Sequence, residues 1–331
     1  MSRNEDFDSI EQDFYRKDRK LHRARRAKAR HIQKKPDHQL VEEVAETTAT
    51  EGEFTISYSP ARHEKIWLLQ SLQPFFDEDV LTDVQALVKG GKEANVYRCE
   101  GQLSTEQTLI AAKVYRPRMF RNLRNDKMYR EGRELLTEEG RAVKTSDHRI
   151  MRAVGKKTAY GSQVTHTSWL MYEYTTLKQL FDAGAAVPQP FAVDSNVILM
   201  QYIGDEDGAA PTLHEVRLDD DEAQPLFQEV LRNIELMLKH SMIHGDLSAY
   251  NILYWEGTIT LIDFPQVTNP RSNRNAYNIF RRDVQRVCDY FARLGVRSDA
   301  EEIVDRLWNT YTEPDIPELN EPFDEQDWGD V

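Results

Sequence analysis

The residues best suited to chemistry stand in one order along the chain. His244-Gly245-Asp246-Leu247-Ser248-Ala249-Tyr250-Asn251 follows a helical stretch, and Asp263 comes twelve residues after Asn251, in Leu261-Ile262-Asp263-Phe264. Phosphoryl transfer needs a carboxylate to accept the proton of the attacking hydroxyl, and hard oxygen ligands for Mg²⁺. Asp246 suits the first role; Asn251 and Asp263 suit the second. Further upstream, Lys89-Gly90-Gly91-Lys92-Glu93 lies between two expected strands. Glycines there let backbone N–H groups approach a phosphate, although Gly-Gly between strands is also an ordinary turn. No G-x-x-x-x-G-K-[ST] is present, so this is not a Walker loop. Lys113 sits inside the apolar run Ile110-Ala111-Ala112-Lys113-Val114-Tyr115. A buried ammonium without a partner is costly, so Lys113 either faces solvent from an edge strand or is paired. Glu173 borders an apolar helical stripe, where it is either an ordinary flanking residue or a carboxylate that reaches Lys113.

These residues need elements to position them. Apolar spacing predicts a helix over 66–76, then strands at 80–88, 94–99 and 108–115 joined by tight turns. Residues 116–168 are rich in Arg and Lys and show no strand pattern, so an inserted helix near 119–136 and a mobile loop are expected. Leu170, Tyr174, Leu177 and Phe181 mark a helix that Gly184 and Pro188 end. Residues 197–203 read as an apolar strand. Phe227, Val230, Ile234 and Leu238 line a second helix. Residues 252–254 and 258–262 form a hairpin turning at Glu256-Gly257, and Phe280, Val284, Val287 and Phe291 line a further helix. The order is α+β: a strand-rich first lobe, a connecting strand and a helical second lobe, with a ligand expected in the cleft between them.

The kinase pattern H-R-D-L-x-x-x-N followed by D-F-G shares the order and spacing seen here. From about residue 81 to 296 the chain resembles the RIO-type atypical protein kinases. The resemblance rests on Gly91-Lys92-Glu93-Ala94-Asn95-Val96-Tyr97, Ala112-Lys113-Val114-Tyr115, Trp169…Glu173…Leu177 and Ala183-Gly184…Val187-Pro188-Gln189-Pro190. It continues through residues 197–204, His244-Gly245-Asp246-Leu247-Ser248…Tyr250-Asn251, Ile262-Asp263-Phe264-Pro265-Gln266 and Arg281-Arg282-Asp283-Val284. It implies a trimmed two-lobe protein-kinase-like fold without the long activation segment or the peptide-docking helices of ordinary protein kinases. By position it also implies that Lys113 contacts ATP phosphates and Glu173 holds it, that Asp246 is the catalytic aspartate, and that Asn251 and Asp263 bind Mg²⁺. Lys89, Gly90, Gly91, Lys92, Glu93 and Val96 would bind the nucleotide, and Met200, Gln201, Tyr202 and Ile203 would form the hinge beside adenine. The family is associated with a phosphoaspartate, which would form on Asp263. Two positions depart from the family pattern: Lys89-Gly90 stand where Ser-Thr is common, and Ala249 where Glu is frequent. The implied activity is Ser/Thr phosphorylation of a protein, including itself. Its rivals are an ATPase-driven switch on a ribosomal precursor and phosphorylation of a small molecule.

Composition bounds the rest. The 331 residues have room for two lobes around one site. No apolar run approaches the ~20 residues of a membrane helix. The start of the chain has no apolar signal segment, and two cysteines cannot build a disulfide framework, so a reducing cytoplasm is expected. The other histidines lack metal-ligand spacing, and Trp169 and Trp308 read as packing residues. The sequence therefore divides into a basic, disordered leader over 1–60, a kinase-like domain over 61–312 with lobes at about 61–200 and 204–312, and an acidic disordered tail over 313–331. The net charge of −13 conceals eleven Lys/Arg against one Asp from Arg16 to Lys35, and twelve Asp/Glu against one Arg from Asp299 onward. The basic arm is a solvated leader, a partner of the acidic end, or a contact for ribosomal RNA. If about six RNA phosphates are contacted, affinity should fall with salt at a log–log slope near −4, roughly 0.7 per contact on single strands. Removing residues 1–36 should flatten that slope; RNA affinity unchanged by the deletion excludes the arm as the anchor.

Overall fold

The computed structural model describes residues 56–91, 93–103, 107–116, 129, 131–144, 146–156, 158–219 and 221–312. Helix α1 (Arg62–Asp77) leads into strands β1 (Leu81–Gly90), β2 (Ala94–Leu103) and β3 (Gln107–Tyr115). Helices α2 (His148–Gly155) and α3 (Ala159–Asp182) follow, then β4 (Pro190–Asp194) and β5 (Val197–Gln201). The five strands form one antiparallel sheet in the order β1-β2-β3-β5-β4. The second lobe contains α4 (Ala223–Lys239), a 3₁₀ turn (Ala249–Asn251), the hairpin β6 (Ile252–Trp255)–β7 (Thr258–Leu261), α5 (Ala276–Ala292) and α6 (Ala300–Thr312).

Period-two alternation sorts the sheet residues onto two faces. Ile110, Ala112 and Val114 of β3, with Val197 and Leu199 of β5, pack with Leu68, Leu72 and Phe75 of α1. Tyr115 and Ile198 face the other way, against Trp169 and Leu170 of α3. Lys113 therefore lies on the α3 face by register. The second lobe has its own core, in which Phe227 of α4 meets Phe291 of α5 with ring centroids 5.3 Å apart.

Several elements differ from the sequence expectation. Residues 56–58, read as leader, already lie against the sheet: the Tyr58 N–H donates to the Val84 carbonyl at 2.7 Å. Helix α3 begins well before its apolar stripe, because the Thr158 hydroxyl caps it by accepting the Gly161 N–H at 3.1 Å. Helix α2 was not predicted; Asp147 caps it, accepting the Ile150 N–H at 3.1 Å, and none of its residues is fully buried. Strand β4, also unpredicted, starts at Pro190 and forms the edge of the sheet, where a missing N–H is tolerated. The acidic end is not uniformly solvated: α6 buries Val304 and Leu307. Its first-turn Glu301 and Glu302 suit the helix dipole, and Asp299 accepts both of their N–H groups. The arm at 16–35, the tail at 313–331 and most of the expected helix at 119–136 lie outside the described residues.

Phe291 is fully buried beneath the second lobe's helices. Phe291→Ala should lower unfolding stability by about 3–5 kcal/mol. Denaturant titration of the full chain checks this, and a loss below about 1 kcal/mol would show that the ring is not a core anchor.

Candidate active site

Lys113 is buried and makes two contacts of equal length: Nζ lies 2.6 Å from Glu173 Oε1 and 2.6 Å from Asp263 Oδ1. Burial pulls the ammonium toward neutrality, but the two carboxylates outweigh it and raise its pKa above the ordinary lysine value. Glu173 is equally buried, and desolvation raises its pKa despite Lys113. Its second oxygen, Oε2, accepts the Tyr115 hydroxyl. Asp263 is half exposed; the protein around it opposes its charge in part, yet Lys113, His244 and Lys89 hold that carboxyl below its usual range.

Register aligns the cleft face of the sheet. Lys89 lies opposite Val96, Val96 opposite Lys113, and Lys113 opposite Ile198. Residues directly opposed across antiparallel strands share a face, so Lys89 and Val96 line the same side as Lys113. At the turn, the Gly91 N–H donates to Asn95 Oδ1 at 3.3 Å. A Cβ on Gly91 would sit 2.5 Å from the Ala94 carbonyl oxygen, which accounts for glycine there. Asn95 is steadied by Arg116, whose Nη2 donates to Oδ1 at 3.0 Å, and by Tyr97 and Glu64. The Glu93 carbonyl accepts the Arg116 N–H at 2.9 Å. Gly90 ends β1, and Lys92 lies outside the described residues. Met200 and Gln201 end β5; the Gln201 N–H donates to the Gln189 carbonyl at 2.8 Å, Tyr202 is buried, and the Ile203 carbonyl accepts the Ala210 N–H at 2.9 Å.

In the second lobe, backbone bonds hold the loop over residues 244–251. His244 is buried, its ring 4.9 Å from that of Phe264. Nδ1 takes the Asp246 N–H at 3.3 Å and Nε2 faces the Ile262 carbonyl at 3.1 Å, an arrangement satisfied by neutral imidazole protonated on Nε2. Burial accordingly depresses the His244 pKa, against the pull of Asp283, Asp263 and Asp246. Gly245 has φ +87°, and a Cβ there would collide with the Gln266 carbonyl oxygen. Its N–H donates to Asp283 Oδ2 at 2.8 Å, and its carbonyl accepts from Arg282. Asn251 Nδ2 donates to the Asp246 carbonyl at 2.8 Å. The β6–β7 hairpin then returns the chain, so that the Ile262 N–H donates to the Asn251 carbonyl at 3.0 Å. Asp263 follows at φ +73°, a strained conformation for a residue other than glycine.

This geometry leaves specific atoms unengaged. With Nδ2 of Asn251 and Oδ1 of Asp263 committed, Asn251 Oδ1 and Asp263 Oδ2 carry no partner among the described residues. Two hard oxygens fit a divalent cation of the Mg²⁺ type, which is held by one or two protein groups together with phosphate oxygens and water.

Four positions here were not singled out by sequence. Tyr115 fixes Glu173, and Glu64 reaches Tyr97 Oη at 2.6 Å. Arg133 clamps the loop after Asp263 by donating to the Pro265 carbonyl at 2.8 Å and the Val267 carbonyl at 3.1 Å. Arg286 pairs with Asp246 at 2.9 Å. Only Tyr115 left a usable signal: two residues beyond Lys113 in a strand, it had to share its face.

A family model described as RIO domain matches residues 95–303. The chain is 29% identical over 218 residues to the RIO-type serine/threonine-protein kinase Rio1 of Haloferax volcanii, covering 65% of this chain and 66% of that protein. It is 27% identical over 242 residues to the human serine/threonine-protein kinase RIO1, covering 73% of this chain but only 38% of the human protein. Among solved structures, the Rio2 kinase–ADP/Mg²⁺–phosphoaspartate complex from Chaetomium thermophilum superposes with a TM-score of 0.51 at 18% identity, covering 82% of this chain and 79% of that one. That likeness extends to the two-lobe kinase fold. The domain match takes in most of the sheet, the catalytic loop and α5, well over half of the sequence: the chain belongs to the RIO family.

Proposed function

We propose that this chain is an ATP- and Mg²⁺-dependent phosphotransferase of the RIO kinase type that moves the γ-phosphoryl group of ATP to a serine or threonine hydroxyl of a protein, itself included. The observation that carries the reading is Lys113, whose ammonium joins Glu173 of the first lobe to Asp263 of the second across the cleft holding Asp246 and Asn251. Lys113 would bind and orient phosphate oxygens, with Lys89 and the Gly90-Gly91 turn above them. Met200, Gln201, Tyr202 and Ile203 would border adenine. Mg²⁺, when bound by Asn251 and Asp263, neutralises phosphate charge. The acceptor oxygen attacks the γ-phosphorus, its proton passes to the Asp246 carboxylate, and the bond to the β–γ bridging oxygen breaks, releasing ADP.

A second outcome of the same site is supported by Asp263, whose carboxylate is half exposed and projects from a strained backbone. Attack by Asp263 on the γ-phosphorus would yield an acyl phosphate and ADP, and its hydrolysis would complete an ATPase cycle able to drive binding and release. A pre-ribosomal particle is the partner this switch reading proposes, with residues 16–35 as the RNA contact; a cytoplasmic setting suits the two buried, unpaired thiols of Cys99 and Cys288. Among the described residues, no helix is long and apolar enough to cross a membrane.

Asp246→Asn should retain nucleotide binding while turnover falls about 10²–10⁴-fold, the scale for losing a positioned proton acceptor. Lys113→Ala should instead weaken ATP affinity as well as turnover. Turnover by Asp246→Asn at the parental rate would refute the assignment.

The bond chemistry separates the two outcomes. Protein labelled with γ-³²P-ATP should lose the label to hydroxylamine where Asp263 is the acceptor and keep it where serine or threonine is. Asp263→Asn disturbs both routes, so lability rather than mutation decides. Label that resists hydroxylamine and maps to Ser or Thr removes the acyl-phosphate reading.

A further inference from the structure

Helix α5 turns two arginines, one helical turn apart, toward the catalytic loop. Arg282 is engaged with the Gly245 carbonyl, with Asp283 at 3.2 Å and with the Tyr129 hydroxyl at 2.8 Å. Arg286 has no part in the transfer described above. Its Nη1 lies 2.9 Å from Asp246 Oδ1, that carboxylate is its one partner among the described residues, and its side chain is 42% exposed. A guanidinium offers five N–H donors in a planar fork, and among the described residues only Nη1 of this one is engaged, beside the group that would take the acceptor's proton. The pair is exposed on both sides, and exposed ion pairs are weak, so the guanidinium can be shared with an incoming anion.

We propose that Arg286 determines acceptor specificity, favouring a serine or threonine that carries a carboxylate close by in its own sequence. The proposal rests on the reading of Asp246 as proton acceptor. With Arg286 on Oδ1, Oδ2 is the oxygen left for the hydroxyl, which must come within about 2.6–3.2 Å of it. An acceptor held there lies beside the free edge of the fork, where a neighbouring Asp or Glu can form the two parallel N–H···O bonds that arginine makes and lysine cannot. A neutral acceptor gains nothing from those donors. Tyr250, in the loop after Asp246, offers a peptide an exposed aromatic ring: it is 55% exposed and lies tilted against His214, with ring centroids 4.0 Å apart and its hydroxyl 2.9 Å from Nε2. Lys89 adds a second positive charge from the opposite lobe, close enough to act on both Asp263 and Glu215.

The test uses the full chain with γ-labelled ATP, Mg²⁺ and two synthetic peptides. One copies residues 4–13, in which Ser9 is surrounded by Glu5, Asp6, Asp8, Glu11 and Asp13. The other replaces every Asp and Glu by Asn and Gln. The parental protein should prefer the acidic peptide by about tenfold or more in kcat/KM, the scale of a charge-assisted bidentate contact. Arg286→Gln should bring that ratio close to one, chiefly by raising KM for the acidic peptide, and Arg286→Lys should restore part of it. If Arg286→Gln slows both peptides by the same factor, Arg286 only orients Asp246 and the proposal fails while the kinase reading stands. Equal use of the two peptides by the parental protein also overturns it. If ATP is consumed but neither peptide nor any Ser or Thr of the chain is labelled, the protein-kinase reading itself falls and takes this proposal with it.

Discussion

A buried ammonium cannot stand alone, and in this molecule its two partners come from different lobes. Lys113 is carried by the sheet, Glu173 by the helix packed on it and Asp263 by the loop beyond the β6–β7 hairpin. Removing Glu173, buried like the lysine, would leave the cation under-compensated, a larger penalty than losing an exposed pair. The cluster therefore does more than tie the lobes together. It favours the charged ammonium and the ionised Asp263 carboxylate. Tyr115 extends the constraint by holding the outer oxygen of Glu173, so the carboxylate is fixed at both ends.

The second lobe solves a different problem. The loop over residues 244–251 has little regular structure, so its backbone polar groups are satisfied one by one. Asp283 takes the Gly245 N–H, Arg282 the Gly245 carbonyl, Asn251 the Asp246 carbonyl and His244 the Ile262 carbonyl. Every one of these groups has a role in place before any ligand arrives. That is the preorganisation electrostatic catalysis depends on, because groups already oriented need no reorganisation when charge shifts. Buried Asp283 illustrates the cost: desolvation raises its pKa, and Arg282 with His244 works against that rise.

The local part of this organisation was legible in the residues. The strands carrying Lys113 and Val96, the stripe of Leu170 and Leu177 beside Glu173, and the hairpin between Asn251 and Asp263 all follow from apolar periodicity and turn chemistry. What escaped was set by caps, edges and tertiary contacts. The N-terminal half of α3 depends on a threonine cap and α6 on Asp299, neither of which changes apolar spacing. Strand β4 is short and begins with proline, so only its pairing with β5 identifies it. Arg133 and Arg286 looked like two more cations in a charged chain. Their partners are 132–134 and 40 residues away, a separation that no local pattern encodes.

The distribution of arginine on α5 then separates structure from selectivity. Arg282, with its side chain only 15% exposed and bonded to backbone, carboxylate and phenol, stabilises the loop whatever the acceptor is. Arg286, four residues on, is tied among the described residues only to the half-exposed Asp246, through Nη1. Two identical side chains on one helical face thus meet opposite environments, and environment decides what each can do. The buried one is fixed by its bonds to the Gly245 carbonyl, Asp283 and the Tyr129 hydroxyl. The exposed one lies beside Asp246 with a half-exposed side chain, so under the reading of Asp246 as proton acceptor its charge would act on the transfer through what the acceptor brings with it.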